Sequence, residues 1–292
     1  MPVGAQGHVG VRREASFASG GTIDNWQSVD SVDIQRQVNI AYGTRIQNTA
    51  EQVGAIFTNR GVSGSLTFGV TPQNPQQWWA AAIGQTASPY TVQRPIASLM
   101  MQVSKNQAAF QVSGCMVTEM TLGSQSGQEL KCTVNLEGVD MASVTAGTPS
   151  YTSGDVPYVH EEADIRLNGT TNNDVTSWNM RIQNNNVTDL YGTARTRQDI
   201  PATKLLVAGS YTKLFLDNLE RNRFLADLPS SFRAIYTRGS RSWDINVNKI
   251  TYDNRQSPIG SQTEYILETF NWTGYVDDPS TENSVSLTVD TT

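Results

Sequence analysis

The chain has 292 residues, enough for one large domain or two ordinary ones. Charged residues make up only 16%, well below the usual quarter, and Asn, Gln, Ser, Thr and Gly fill the gap. The net charge of −6 divides into −1 over residues 1–150 (8 Lys/Arg against 9 Asp/Glu) and −5 over 151–292 (13 against 18), so neither half is a basic nucleic-acid surface of the usual kind.

From the N-terminus, Met1 to Gly10 lacks the apolar core of a signal peptide, and no apolar run approaches a membrane span. Gly4, Gly7 and Gly10 do not form a phosphate loop, because no strand precedes them and no Lys-Ser/Thr follows. Period-two patterning then takes over: Val32, Ile34, Val38 and Ile40 alternate with Asp33, Gln35, Gln37 and Asn39. Such strands bury one face and leave the other polar, the mark of antiparallel sheets. A long polar loop is expected from Gly43 to Arg60, a strand at Val62–Gly69, and a short helix capped by Asn74, opened by Pro75 and stopped at Gly84. Trp78, Trp79 and Ile83 would be its packing face, core plugs in preference to a ligand platform.

Further strands are expected at Ile96–Ser104 and Cys115–Gly123, and at Leu130 to Glu137, where Leu130, Cys132, Val134 and Leu136 alternate with Lys131, Thr133, Asn135 and Glu137. A turn near Ser124–Ser126 would set Cys132 opposite Glu119, too far from Cys115 for a disulfide, so both thiols are read as free and buried. Met141 to His160, rich in Ser, Thr, Gly and Pro, reads as a linker between two domains, 1–150 and 151–292.

The second half repeats the landmarks of the first in the same order. Tyr42-Gly43-Thr44 recurs at Tyr191, Val62–Thr67 at Val207–Thr212, Gly123-Ser124-Gln125 at Gly260, and Thr133-x-Asn135-x-x-Gly138 at Thr269. The offsets drift smoothly (191−42 = 149, 207−62 = 145, 260−123 = 137, 271−135 = 136), as loop-length changes would produce. Strands are expected around Thr176–Ile182, Lys204–Leu216, Ser231–Thr237, Ser242–Tyr252 and Thr263–Val276. A second loop runs from Gly192 to Thr203, and a second helix starts with Asp217 and Glu220, packs Phe224 and Leu225, and ends before Pro229. The stretch from Asp277 to Thr292 holds four acids and no base and reads as a flexible or partner-docked tail.

Catalytic chemistry finds no foothold. Only His8 and His160 exist, and His160, Glu161, Glu162 and Asp164 are too adjacent on extended chain to converge on a metal. Acid pairs such as Asp277-Asp278 could in principle serve a glycosidase, but nothing else points there. The chain reads as a structural protein with no cofactor.

Two β-repeats, each with one short helix and a long early loop, together with Asp174–Asn186, Leu205–Phe215 and Trp272-Thr273-Gly274, resemble the major tail tube proteins of long, non-contractile bacteriophage tails. The resemblance implies an all-β fold of two tandem β-sandwich or half-barrel domains, whose sheets join those of neighbours around a lumen. It implies a self-assembling virion protein, made in the host cytoplasm, in stacked rings: a homotrimer with pseudo-sixfold symmetry, less so a hexamer. Implied partners are tail tip and terminator proteins, with double-stranded DNA passing through unbound and no membrane contact. The family's loop bridges stacked rings, which makes Arg45, Gln47, Arg60, Arg195, Arg197 and Asp199 inter-ring candidates. Asp33, Gln35, Gln37, Asn39, Thr133, Asn135 and Glu137 are lumen candidates. The alternative reading is a two-domain β-sandwich adhesin or carbohydrate-binding module.

Overall fold

The computed structural model describes residues 7–43, 53–72, 75–85, 87–105, 108–151, 155–256, 265–280 and 282–290. The first half contains β1 (Gly7–Arg13), β2 (Asn25–Gln27), β3 (Ser31–Gly43), β4 (Val53–Gly69), helix α1 (Pro75–Ile83), β5 (Tyr90–Thr91), β6 (Leu99–Lys105), β7 (Ala109–Gln125), β8 (Lys131–Gly138) and β9 (Asp140–Val144). The second contains β10 (Ala163–Leu167), β11 (Thr170–Thr171), β12 (Val175–Gln183), β13 (Leu206–Leu214), helix α2 (Leu219–Leu225), β14 (Ser230–Arg238), β15 (Arg241–Gln256), β16 (Leu267–Gly274) and β17 (Ser286–Asp290). The fold is all-β, and every pairing between these strands is antiparallel.

One pairing scheme occurs twice. In the first half β3 pairs with β4, β4 with β8, and β8 with the second part of β7. The first part of β7 pairs with β6 and β9, and β6 with β1. In the second half β12, β13, β16, β15, β14, β17 and β10 repeat each of these contacts in turn. The correspondence reaches single residues. Ser31, Thr67 and Thr133 stand in one cross-strand row, and Ser177, Thr212 and Thr269 stand in the matching one. The register slips between Val117 and Glu119 against β8, and between Tyr252 and Asn254 against β16, at matching places. Of the repeated landmarks, the Val62 and Thr133 motifs are upheld by register. Tyr42 and Tyr191 are not equivalent, since Tyr42 is in a ladder opposite Ala55 and Tyr191 lies in a turn. Gly260 is outside the described residues.

The halves are joined through β7 and β12, from Glu119 opposite Gln183 to Gln125 opposite Ser177. An eight-stranded sheet results, in the order β3, β4, β8, β7, β12, β13, β16, β15. Among the described residues its two ends are open: β3 has β4 alone as partner, and beyond Ile250 β15 has β16 alone.

Alternation decides which face is core. Leu66, Val134, Met120, Met180, Tyr211 and Phe270 all point inward and are buried, the burial of apolar area that drives such packing. Phe232 is central to the second half, with ring centroids 5.4 Å from Trp178 and 5.5 Å from Trp272. Both helix tryptophans are core plugs: Trp78 and Trp79 are wholly buried, and the Trp78 indole donates to Gln27. Gly84, at φ +108°, stops α1 with its N–H on Ala80 O, a backbone conformation suited to glycine. The Asn74 cap falls outside the described residues.

Several expectations are corrected. The first long loop is shorter than Gly43 to Arg60, because β4 begins at Val53 and continues the hairpin with β3. Helix α2 starts at Leu219 with Asp217 Oδ1 accepting from the Leu219 N–H; Glu220 turns inward to Tyr252 and does not reach back, and Leu225 is 66% exposed. The β7–β8 turn centres on Gly127, whose φ of +75° closes it, so Cys132 faces Leu122 and not Glu119. Both thiols are free and buried, and burial pushes both pKa values up. The presumed linker is packed from Tyr158 onward: Tyr158 inserts between Val70 and Leu130, and the His160 ring bridges Ser124 Oγ (2.9 Å) and Val175 O (3.0 Å). The acidic tail docks on its own chain, with β17 against β15 and Lys249 Nζ 2.8 Å from Glu282.

Candidate assembly surface

The outer face of the eight-stranded sheet is polar by parity. Asp33 stands beside Ser65 and Asn135, and Gln35 beside Ser63 and Glu137, so six of the seven lumen candidates share one face: Asp33, Gln35, Gln37, Thr133, Asn135 and Glu137. Asn39 falls in the register break between Val38 and Ile40 and is not placed on that face by pairing. Short polar contacts knit the surface. Gln37 Nε2 donates to Ser63 Oγ (2.6 Å), Thr67 Oγ1 lies 3.0 Å from Thr133 Oγ1, and Asn135 Nδ2 donates to Glu119 Oε1 (3.3 Å). The pattern crosses the β7–β12 junction. Arg181 lies 3.7 Å from Glu119, Asn179 Nδ2 donates to Ser210 Oγ (2.8 Å), and Thr212 lies 2.9 Å from Thr269.

The loop candidates separate. Arg45 and Gln47 lie outside the described residues. Arg60 sits in β4, its guanidinium 2.8 Å from Asp140, which also meets Arg36 at 3.2 Å. Between residues 184 and 205, Asn184, Arg195, Arg197 and Ile200 contact the first half. The Arg60 N–H donates to Arg195 O, and Arg197 is buried with Nη1 donating to Val62 O, Gly138 O and Glu137 Oε2 (3.1, 3.0 and 2.6 Å). Arg197, an expected inter-ring contact, is therefore buried within its own chain and is not presented at the surface. Asp199 Oδ1 accepts from the Ile200 N–H.

Asn184 was missed in the sequence. It is fully buried, its amide nitrogen 2.9 Å from both Ala82 O and Val117 O, and its oxygen accepts from Arg94 at 3.0 Å. Burial lowers the Arg94 pKa. The only hint was the run Asn184-Asn185-Asn186, in which Asn185 takes a left-handed φ of +47°.

Exposed apolar side chains concentrate at the sheet's open ends. Beyond Arg60, which bonds Arg195 O, β4 has β3 as its only described partner, and this two-stranded arm exposes Val38, Ile40, Tyr42, Ile56 and Phe57. At the other end Leu219 and Leu225 of α2 are bare, as are Tyr265, Ile266 and Leu267 where β16 begins. Unpaired strand edges and contiguous apolar patches are both unstable in water and mark contact surfaces. Among the described residues no His/Cys/Asp/Glu cluster could hold a metal, and no helix is long and apolar enough to cross a membrane.

Comparison with the curated proteins gives no match. The family model described as phage tail tube protein matches residues 4–274. With nearly its whole length inside that match, a polar-faced sheet and two open edges, the chain belongs to the phage tail tube proteins, structural components of the virion tail.

Proposed function

We propose that copies of this chain join edge to edge into closed rings, that the rings stack into the tail tube, and that double-stranded DNA passes along the polar face during delivery into the host. The observation that carries this reading is the eight-stranded sheet with one open edge at each end. The ends differ, so the contact is head-to-tail, and a head-to-tail contact that closes gives a ring. Closure also removes both unpaired edges.

Ring size follows from strand spacing. Eight strands per copy at about 4.8 Å give three copies a backbone diameter of about 37 Å, wider with tilt. Side chains take about 5 Å on each side, leaving about 27 Å; two copies leave about 14 Å with upright strands. B-DNA, with grooves about 8 Å deep, is about 20 Å across. Three copies is the smallest ring that admits it upright. The doubled pairing scheme supports reading residues 1–150 and 151–292 as two tandem domains, six to a ring with pseudo-sixfold symmetry.

Phosphate affinity comes chiefly from Lys and Arg. The proposed lining offers Asp33, Glu119 and Glu137 with many neutral amides and hydroxyls, and its Arg181 and Lys131 are already paired, with Glu119 and with Asp30 and Glu129. Such a wall lets a polyanion slide. The β3–β4 arm, with Arg45 and Gln47 between its strands in sequence, is the favoured ring-to-ring contact, with Arg195 and Asp199 as further candidates. Tail tip and terminator proteins would cover the two ends of the tube.

Electron microscopy of concentrated, purified full-length protein tests the reading. Stacked rings or tubes with an open bore are expected; a protein that stays monomeric at high concentration overturns it.

A further inference from the structure

The junction between the two halves is a template for the junction between copies. In the internal junction, β12 adds to the second part of β7. The pairings place β3 where the second half has β12, with Ser31 matching Ser177 and Gln37 matching Gln183. They place β15 where the first half has β7, with Asn254 matching Glu119 and Gln256 matching Thr121. β3 and the end of β15 are the two edges left open.

A second observation agrees. At the internal junction the end of the β7–β8 hairpin lies over Val175, Trp178 and Tyr236: the Ser126 N–H donates to Thr176 O, and Ser124 Oγ is 2.7 Å from the Tyr236 hydroxyl. The matching place in the first half, at Val29, Val32 and Lys105, is an open groove of about 420 Å³, also walled by His8, Val9 and Val103. Ile266 stands where the first half has Leu130. Phe215 N–H donates to Ile266 O just as Val70 N–H donates to Leu130 O. Leu130 is fully buried, whereas Ile266 is 36% exposed.

We propose that neighbouring copies repeat the internal junction: the end of β15 in one copy pairs with β3 of the next, Asn254 opposite Gln37 and Gln256 opposite Gln35, and Ile266, just before β16, packs on the groove at Val29 and Val32. The partner is a second copy of this chain, and the inference rests on the ring reading above.

Directly opposed antiparallel residues hold their Cβ atoms about 5 Å apart, close enough for a disulfide. The full chain carrying Gln37→Cys and Asn254→Cys, assembled and mildly oxidised, should give covalent chains up to the closed ring on a non-reducing gel. Gln35→Cys with Asn254→Cys, out of register, should bridge poorly, and the native Cys115 and Cys132 are buried. Rings that form without the first bridge, or with both bridges equally, overturn the register and leave ring formation standing. A wild-type chain that forms no rings overturns the ring reading itself.

A complementation experiment is independent of thiol chemistry. Ile266→Asp spoils the packing side chain and Val32→Asp the groove, so each variant alone should remain monomeric. Mixed one to one they retain a single good contact and should form a heterodimer of about twice 32.0 kDa. With native circular dichroism for both variants, a mixture that stays monomeric, or Ile266→Asp rings, overturns the docking.

Discussion

Trp79, on α1 of the first half, meets Trp243, on β15 of the second, edge-on with ring centroids 6.1 Å apart and planes at 74°. Both side chains are fully buried, and neither indole N–H has a partner among the described residues. The contact is thus held by shape and apolar area alone. Trp243→Ala should cost about 3–5 kcal/mol, the usual range for emptying a tryptophan site. Trp243→Phe, which keeps the ring edge and drops the unpaired N–H, should cost much less. Urea unfolding of both variants checks this, and equal losses would contradict it.

Arg197 gives the second prediction. One nitrogen, Nη1, donates to two backbone carbonyls and to the Glu137 carboxylate, all from the first half. Gly61 makes room for it, since a Cβ there would come within 2.7 Å of the guanidinium. Arg197→Ala strands those acceptors and should cost about 3 kcal/mol. Arg197→Lys should recover part of the loss, because all three bonds come from one nitrogen and an ammonium also offers three donors. An unfolding free energy from urea titration within about 0.5 kcal/mol of wild type for the alanine variant would show the network to be dispensable.

Much of this architecture was legible from parity. The alternation in Val32–Ile34, Thr176–Ile182 and Leu130–Glu137 located strands and faces, because a two-residue period separates core from solvent wherever one face is buried; Val38 and Ile40 continue the strand but lie exposed on the β3–β4 arm. The duplication was legible in Val62–Thr67 and Thr133–Gly138, which keep side chains that pair across strands. What escaped depended on tertiary partners. Strand β1 was hidden by glycines at 7 and 10 that pack against β6. Arg197 read as a solvent-facing loop residue because the acceptors that bury it lie more than fifty positions away. Tyr158 and His160 read as linker for the same reason: their partners Val70 and Ser124 come from the other half.

Acid sensitivity should concentrate in the second half, at two carboxylates held by arginines. Arg238 grips Glu162 with two short bonds, Nε to Oε1 at 2.7 Å and Nη2 to Oε2 at 2.6 Å, and this holds the Glu162 carboxyl below its ordinary range. Arg166 does the same to Asp164. A carboxyl whose pKa is lowered by folding stabilises fully above its unfolded value of about 4.3, and that stability is lost as pH falls through the folded pKa. The thermal midpoint should therefore be flat from about pH 7 to 5 and fall below about 4.5. Glu162→Gln should melt lower than wild type at neutral pH, with the gap narrowing as the pH falls below the ordinary carboxylate range. A gap of constant size as the pH falls would show that the ion pair is not its source.

The last prediction links sheet packing to assembly. Gly64 and Gly209 occupy matching positions on β4 and β13, and a Cβ at either would come 2.3 Å from Asp33 O or 2.4 Å from Asn179 O. Alanine at Gly209 should cost about 1–3 kcal/mol through overpacking. In the isolated chain Gly64→Ala should cost less, because its neighbour β3 has one described partner and can shift outward, whereas β12 is clamped between β13 and β7. Once β3 is paired on both sides that freedom disappears, and the two substitutions should become equally costly. Hydrogen exchange of the β3 amides in monomer and tube measures the difference. If Gly64→Ala loosens β3 as much in the tube as in the monomer, the neighbour does not clamp this edge.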